Sequence, residues 1–213
     1  MLKRDAVVYR FVVAAFIVSG LGLGLMYMAP GHRGPLILGL MTPLFLFVPY
    51  VLHKNHIQIP YRLLIFFFIF LVIGYNVGFI MSGYKRFILF YCDKIVHFTS
   101  GFLFTTIGLC VFCYVRKSAR ANWKLGLLFA LIFSMFIGLL FEFMEYATYW
   151  SFHSDPQLNL TTGVVDTMED LLVCFVASLI TVLAHYLYFS KGISRAKQPI
   201  IAEFCEQNGL PSS

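Results

Sequence analysis

The sequence predicts an all-α, polytopic membrane protein with six transmembrane helices. The 213-residue chain is 60% hydrophobic and only 12% charged, whereas soluble globular domains carry roughly 25% charged residues. Six long segments contain no Asp, Glu, Lys or Arg, and each is close to or above the ~17 residues that cross the hydrocarbon core of a bilayer. These segments are residues 11–32, 34–53, 63–84, 95–115, 125–141 and 171–190. We therefore expect residues 1–190 to form a single six-helix transmembrane domain and residues 191–213 to form a polar, partly disordered cytoplasmic tail.

The first two spans carry small residues and prolines that predict how they pack. The first segment is too long for the core of a signal peptide, so it is assigned as a span. Gly20, Gly22 and Gly24 predict a close-packing face, because small residues let helices approach each other in a membrane. Pro43 and Pro49 predict a kink in the second span, since proline interrupts helical hydrogen bonding.

The later spans are joined by amphipathic or polar connections. Residues 85–91 combine basic and aromatic side chains and are expected at the membrane interface. The fourth span is expected to begin near Asp93, and a basic loop precedes the fifth. Residues 149–162 are expected to form an outer loop between the fifth and sixth spans.

The basic residues predict the orientation of the chain. Six spans place both termini on one side, together with the second–third and fourth–fifth connections, and this side holds twelve of the sixteen Lys and Arg residues. The other side holds Arg33, Lys85, Arg86 and Lys94. Because cytoplasmic loops carry the excess of Lys and Arg, both termini are predicted to be cytoplasmic. Topology thus explains the net charge of +6, and basic residues scattered over loops do not indicate a nucleic-acid interface.

Most acidic residues are predicted to meet at one end of three consecutive helices. The cluster consists of Asp93 and His97 at the start of the fourth span, Glu142 and Glu145 in the last turns of the fifth, and Asp166, Glu169 and Asp170 at the start of the sixth. Because successive spans alternate in direction, these three helix ends lie on the same, outer side. The i, i+3 and i+4 spacings place the members from each helix on one face.

This cluster predicts a site for a divalent metal ion. It contains six of the ten acidic residues of the chain, and burying even one charge costs several kcal/mol. The carboxylates must therefore share protons, pair with cations or bind a metal. Carboxylates with one imidazole suit Mg²⁺, Mn²⁺, Ca²⁺, Zn²⁺ or iron, and the choice among them stays open. We expect Asp93, His97 and Glu142 to serve also as catalytic acid–base groups, with Glu145 and Glu169 further from the metal.

Each part of the cluster also has a structural interpretation. Asp166 and Glu169 fit a capping box, and acids at a helix N-terminus are favoured by the helix dipole. That interpretation does not cover the two glutamates of the fifth span, which are expected near a helix C-terminus. Asp93 can simply pair with a neighbouring cation, and His97 can be a packed or hydrogen-bonded histidine.

Other chemistry-bearing patterns are weak. His97 and Ser100 lack the surroundings of a nucleophile elbow, and the paired aspartates of the sixth span lack the Gly and Arg positions of lipid-headgroup transferases. No phosphate loop or dinucleotide fingerprint appears. The five cysteines show no disulfide or zinc spacing, and Cys110 and Cys113 are expected to be packing residues within a helix.

A family resemblance covers about residues 90 to 185. It lies in three motifs, Asp93-Lys94-Ile-Val-His97-Phe98-x-x-Gly101, Glu142-x-x-Glu145 and Gly163-Val-Val-Asp166-x-x-x-Asp170. Together they resemble the YjdF-like inner-membrane proteins of unknown function and, more distantly, the VanZ-like family. The resemblance implies a bacterial multi-span protein, and VanZ-like relatives are linked to glycopeptide resistance and the cell envelope. The arginine that tends to precede the last Asp motif in that family is missing here, since no Lys or Arg lies between Lys124 and Lys191.

The leading functional hypothesis is an integral membrane protein with an acidic metal site at the extracytoplasmic ends of helices four, five and six. It would act as a metal-dependent enzyme on a lipid or envelope headgroup, with membrane lipids as partners. The alternatives are a proton- or cation-coupled transporter and a non-catalytic structural or binding protein. Acids near one surface and the lack of an internal repeat weigh against a transporter, because transporter sites usually lie near the bilayer midplane between repeats.

Overall fold

The described part of the protein is mostly helical and contains no strand. The computed structural model describes residues 2–28, 33–80, 86–118, 122–152, 164–191 and 199–211. In chain order its helices are α1 Leu2–Met26, α2 Gly34–Met41, α3 Phe47–Lys54, α4 Tyr61–Leu71, α5 Arg86–Arg116, α6 Trp123–Phe152, α7 Val165–Lys191 and α8 Ile200–Gln207. A 3₁₀ segment, Thr42–Leu46, joins α2 to α3, and a π-helical segment, Val72–Ile80, continues α4. Six stretches are long and apolar enough to cross a membrane, which confirms the all-α, polytopic class.

The helices extend beyond the charge-free segments that predicted them. Helix α5 already begins at Arg86, so Asp93 and His97 lie within the helix, while its membrane-spanning stretch begins at Cys92, next to Asp93 as predicted. Helix α6 continues to Phe152, so Glu142 lies ten residues before its end. The expectation that it lies near a helix C-terminus was therefore wrong. Residues 149–152 are likewise helical and not loop, while 153–162 fall outside the described residues. Hydropathy marks the apolar part of a helix, whereas backbone hydrogen bonds set its ends.

The chain divides into two compact units, and the boundary between them lies within α5. The first comprises Met1–Val96 and Glu206–Gly209, and the second comprises His97–Cys205 and Leu210–Ser213. The first unit therefore holds the first three spans, and the second holds most of α5 together with α6 and α7. The seven candidate site residues, with the exception of Asp93, belong to the second unit.

In the first unit, glycines allow α1 and α2 to touch. A Cβ atom on Gly24 would lie 2.8 Å from the carbonyl oxygen of Pro35, and one on Gly39 would lie 2.7 Å from the carbonyl oxygen of Gly20. Such distances exclude a side chain, so the two backbones are in direct contact. Gly22 has nothing within 4 Å of the same position. The close-packing face predicted for α1 is thus confirmed for Gly20 and Gly24 and does not include Gly22.

Irregular helix turns in this unit coincide with polar links between spans. Pro43 lies in the first turn of the 3₁₀ segment, where its missing N–H changes the hydrogen-bond pattern of the second span. In the π-helical segment, the buried Asn76 donates through Nδ2 to the Phe16 carbonyl at 2.9 Å and to Ser19 Oγ at 2.7 Å. Tyr75 donates its hydroxyl to the Leu38 carbonyl at 2.9 Å. These bonds tie the third span to both preceding ones.

In the second unit, small residues bring α5, α6 and α7 together. A Cβ atom on Gly101 of α5 would lie 2.7 Å from Ala177 Cβ on α7. One on Gly138 of α6 would lie 3.3 Å from Cys174 Sγ, also on α7. His97, Glu142 and Asp170 each lie one helical turn from these contacts, so the close packing brings their side chains towards one another.

Part of the tail is an ordered helix. Within α8, Ile201, Phe204 and Cys205 are buried, so the expectation of a disordered tail does not hold for these residues. A hydrogen bond from the Cys113 thiol lowers the pKa of Cys205 against the opposing effect of burial. Cys113 itself is buried, as predicted for a packing residue.

The glycine contact gives a direct test of the packing of the first unit. Gly39→Val should destabilise the protein by about 1–3 kcal/mol, because the added side chain has to separate two touching backbones. Gly22→Val is the matched control, since the space beside Gly22 is open. Chemical unfolding of both variants in detergent measures the difference. Equal stabilities would contradict the packing described here.

Candidate metal centre

The candidate centre begins with three side chains from two helices. Asp93 and His97 are one turn apart on α5, and Asp170 belongs to α7. One ligand atom from each of the three lies within 4.8 Å of the ligand atoms of the other two. His97 and Asp170 are buried and Asp93 is partly buried. An imidazole and two carboxylates at this spacing can bind one divalent cation.

Glu142 brings α6 to the same place. Its Oε1 atom lies 3.5 Å from His97 Nε2, and the two side chains are 3% and 2% exposed. This separation exceeds that of a well-formed hydrogen bond of about 2.9 Å, so the contact is an electrostatic one between buried groups. The ring of Phe141 lies edge-on to the imidazole, with the centroids 6.3 Å apart, and gives the site an apolar wall.

Asp166 adds a further buried carboxylate. It lies one turn before Asp170 on α7 and is likewise almost completely buried. Helix α7 begins at Val165, so Asp166 is in its first turn, where the helix dipole favours a negative charge. The dipole argument therefore applies to Asp166 and does not explain Glu142, which lies deep within α6.

The remaining two candidates lie further out. Glu145 is partly buried and Glu169 is exposed, and neither belongs to the group of ligand atoms within 4.8 Å. The expectation that both lie beyond the ligands stays a prediction. The structure thus brings Asp93, His97 and Asp170 together, places Glu142 against the histidine and buries Asp166 nearby.

Electrostatics make a cation in this site chemically reasonable. Glu142, Asp166 and Asp170 are all buried, while no Lys or Arg is buried among the described residues. Lys94, the nearest basic residue in sequence, is partly buried. Buried carboxylates need protons, hydrogen bonds or a positive charge close by. A divalent ion beside the His97 imidazole would supply that charge.

Further polar residues, outside the predicted cluster, lie next to the centre. Ser100 donates to the His97 carbonyl at 2.7 Å, and its Oγ lies 3.6 Å from Cys174 Sγ. Deeper in the unit, Ser178 Oγ lies 2.9 Å from Ser134 Oγ. The signal was present in α7, because the spacing of Asp166, Asp170, Cys174 and Ser178 is four residues throughout, which places them on one helix face.

The contact between His97 and Glu142 can be measured as a coupling energy. Glu142→Gln and His97→Gln should each destabilise the protein, and the effects should fail to add by at least about 0.5 kcal/mol because the residues interact directly. Unfolding in detergent of both single variants and the double variant gives this value. Glu169→Gln, at an exposed position, should add to Glu142→Gln within ~0.5 kcal/mol. Simple additivity for the His97–Glu142 pair would show that the contact carries no energy.

Comparison with known proteins gives a family and no assigned activity. No curated protein and no solved structure matches the chain. A family described as predicted membrane protein (DUF2238) matches residues 8–191. That match covers every candidate site residue and all six spans except the first five residues of the first span, which begins at Lys3. The chain therefore belongs to the DUF2238 family of membrane proteins.

Proposed function

We propose that this protein binds one divalent metal ion at the ends of three membrane-spanning helices and uses it in a reaction on a lipid or envelope headgroup. Asp93, His97 and Asp170 would be the ligands. The observation that carries the proposal is their convergence, with ligand atoms within 4.8 Å of one another, beside the buried carboxylates Glu142 and Asp166. Ionisable residues inside spans are costly and usually functional.

The neighbouring groups suggest distinct roles in such a reaction. A bound metal would act as a Lewis acid on a phosphoryl or carbonyl oxygen of the headgroup. Glu142 contacts His97 at 3.5 Å and is the carboxylate best placed to orient the imidazole or to exchange a proton. Asp93 is the most accessible of the three ligands, so it would lie where a headgroup enters.

The same proposal includes a location. The excess of basic residues on the side of the termini supports an orientation with both termini in the cytoplasm, which would place the acidic cluster at the extracytoplasmic surface. The resemblance of its motifs to YjdF-like and VanZ-like proteins supports the bacterial inner membrane. A headgroup of the outer leaflet or of the cell envelope is then the accessible substrate.

Metal analysis tests this function. Protein purified in detergent and equilibrated with Mn²⁺, Zn²⁺, Mg²⁺, Ca²⁺ or Fe²⁺ should retain one of these ions at about one per chain, measured by elemental mass spectrometry. Asp170→Asn and His97→Gln should lower the affinity by tenfold or more, since loss of even an outer-shell partner costs about 10–100-fold. Glu169→Gln, on the same helix but exposed, should retain the metal. Failure of the unaltered protein to bind any of the five ions would remove the proposal.

A transporter is the second candidate, and one observation favours it. The polar face of α7 continues below the acids through Cys174 and Ser178, and Ser178 reaches Ser134 of α6 at 2.9 Å. Such a row of polar groups could conduct a coupling proton or a cation towards the middle of the bilayer.

Flux through liposomes distinguishes the two candidates. A transporter would catalyse proton or cation uptake in proteoliposomes, and Glu142→Gln would abolish it while Glu169→Gln would not. Uptake that depends on Glu142 without stable metal binding would favour the transporter. If the amide variants changed neither metal binding, nor flux, nor stability, a non-catalytic structural or binding protein would remain.

A further inference from the structure

An apolar groove lies between α6 and α7, immediately below the acidic cluster. Its volume is about 480 Å³, and it is lined by apolar side chains alone: Leu131, Ile132, Met135, Phe136 and Leu139 of α6, with Leu171 and Phe175 of α7. Ligand sites typically occupy about 300–1,000 Å³ and are mainly apolar. The volume of the groove falls within this range, and its lining is entirely apolar.

One end of the groove lies close to the candidate metal centre along both helices. Leu171 follows Asp170 directly, and Leu139 precedes Glu142 by three residues, so one end of the groove lies within a helical turn of two buried carboxylates. From Leu139 the lining extends along α6 to Leu131, a distance of about 12 Å at the usual helical rise. A ligand in the groove would thus have one end at the polar site and the other deeper in the span.

The position of the groove on a membrane-spanning face favours an acyl chain as its occupant. Ile132 and Phe136 are more than half exposed and belong to a membrane span, Trp123–Ala147. The groove is therefore open on the side where hydrocarbon chains of the bilayer have direct access.

We propose that the groove binds an acyl chain of a membrane lipid while the polar headgroup of that lipid lies at the acidic cluster. This inference depends on the proposed function and narrows it, because the substrate becomes a membrane-resident lipid and not a water-soluble envelope component. Binding energy from the chain would position the headgroup beside Asp170 and Glu142, as remote parts of a substrate often do.

Photolabelling tests the groove with a matched pair of variants. The probe is phosphatidylglycerol with a photoreactive diazirine on its acyl chain, incorporated into nanodiscs with the full-length protein. Labelled peptides should concentrate on residues 131–139 and 171–175. Leu139→Trp should reduce this labelling at least threefold by filling the groove. Leu140→Trp should leave the labelling unchanged, because Leu140 does not line the groove. It is a matched control, since Leu139 and Leu140 are each 38% exposed. Met135→Trp gives a second filling variant if Leu139→Trp does not fold.

The metal measurement separates this inference from the proposed function. Metal binding should be the same in Leu139→Trp and Leu140→Trp, because neither alters a ligand. Labelling spread evenly over all lipid-facing residues, or equal in the two variants, would overturn the acyl site while leaving the metal site intact. Crosslinking of Leu139→Cys between two copies of the chain would also overturn it, since a second copy would then occupy the groove. Localised labelling in a protein that binds no metal would retain the lipid site and remove the metal-dependent reaction.

Discussion

The burial of carboxylates inside membrane-spanning helices is the constraint on which this structure depends. Glu142, Asp166 and Asp170 are withdrawn from solvent in helices whose other faces contact hydrocarbon. Each would be strongly disfavoured alone, because ionised groups in a low-dielectric medium need compensation. Their position beside His97 concentrates this cost in one place. The divalent ion of the proposed metal site would supply that compensation.

Close backbone contacts make that concentration possible. Gly101 lets α5 approach α7, and Gly138 lets α6 approach the same helix near Cys174. The three helices are then near enough for side chains one turn away to share a site, although Asp93 and Asp170 are 77 residues apart in the chain. In a membrane, where the hydrophobic effect does not drive helices together, small residues and interhelical hydrogen bonds supply the association. In the first unit, Gly24 and Gly39 likewise allow two helix backbones to touch.

The polar centre and the apolar groove together suit an amphipathic ligand. A water-soluble substrate would not fill an apolar groove that faces the bilayer and ends near two buried acids. A lipid would satisfy both ends at once, with its chain in contact with Leu139 and Phe175 and its headgroup at the metal. The exposed apolar residues of α6 would then have two roles: some would contact bulk lipid, and those of the groove would bind one chain.

Hydropathy and charge spacing alone determined that the chain is all-helical and crosses the membrane six times, because the length of each apolar segment is a property of the sequence itself. Since successive spans alternate in direction, the sequence also placed the acids at the same end of three helices. The polar face of α7 also follows from the sequence, because Asp166, Asp170, Cys174 and Ser178 are spaced four residues apart. Tertiary structure decided what spacing could not. Asp166 and Asp170 are buried, whereas Glu169 on the same helix is exposed. Glu142 lies against His97. Cys205 of α8 is buried. These outcomes depend on helix rotation and on glycine contacts between distant segments, which set distances of a few ångströms that no single helix encodes.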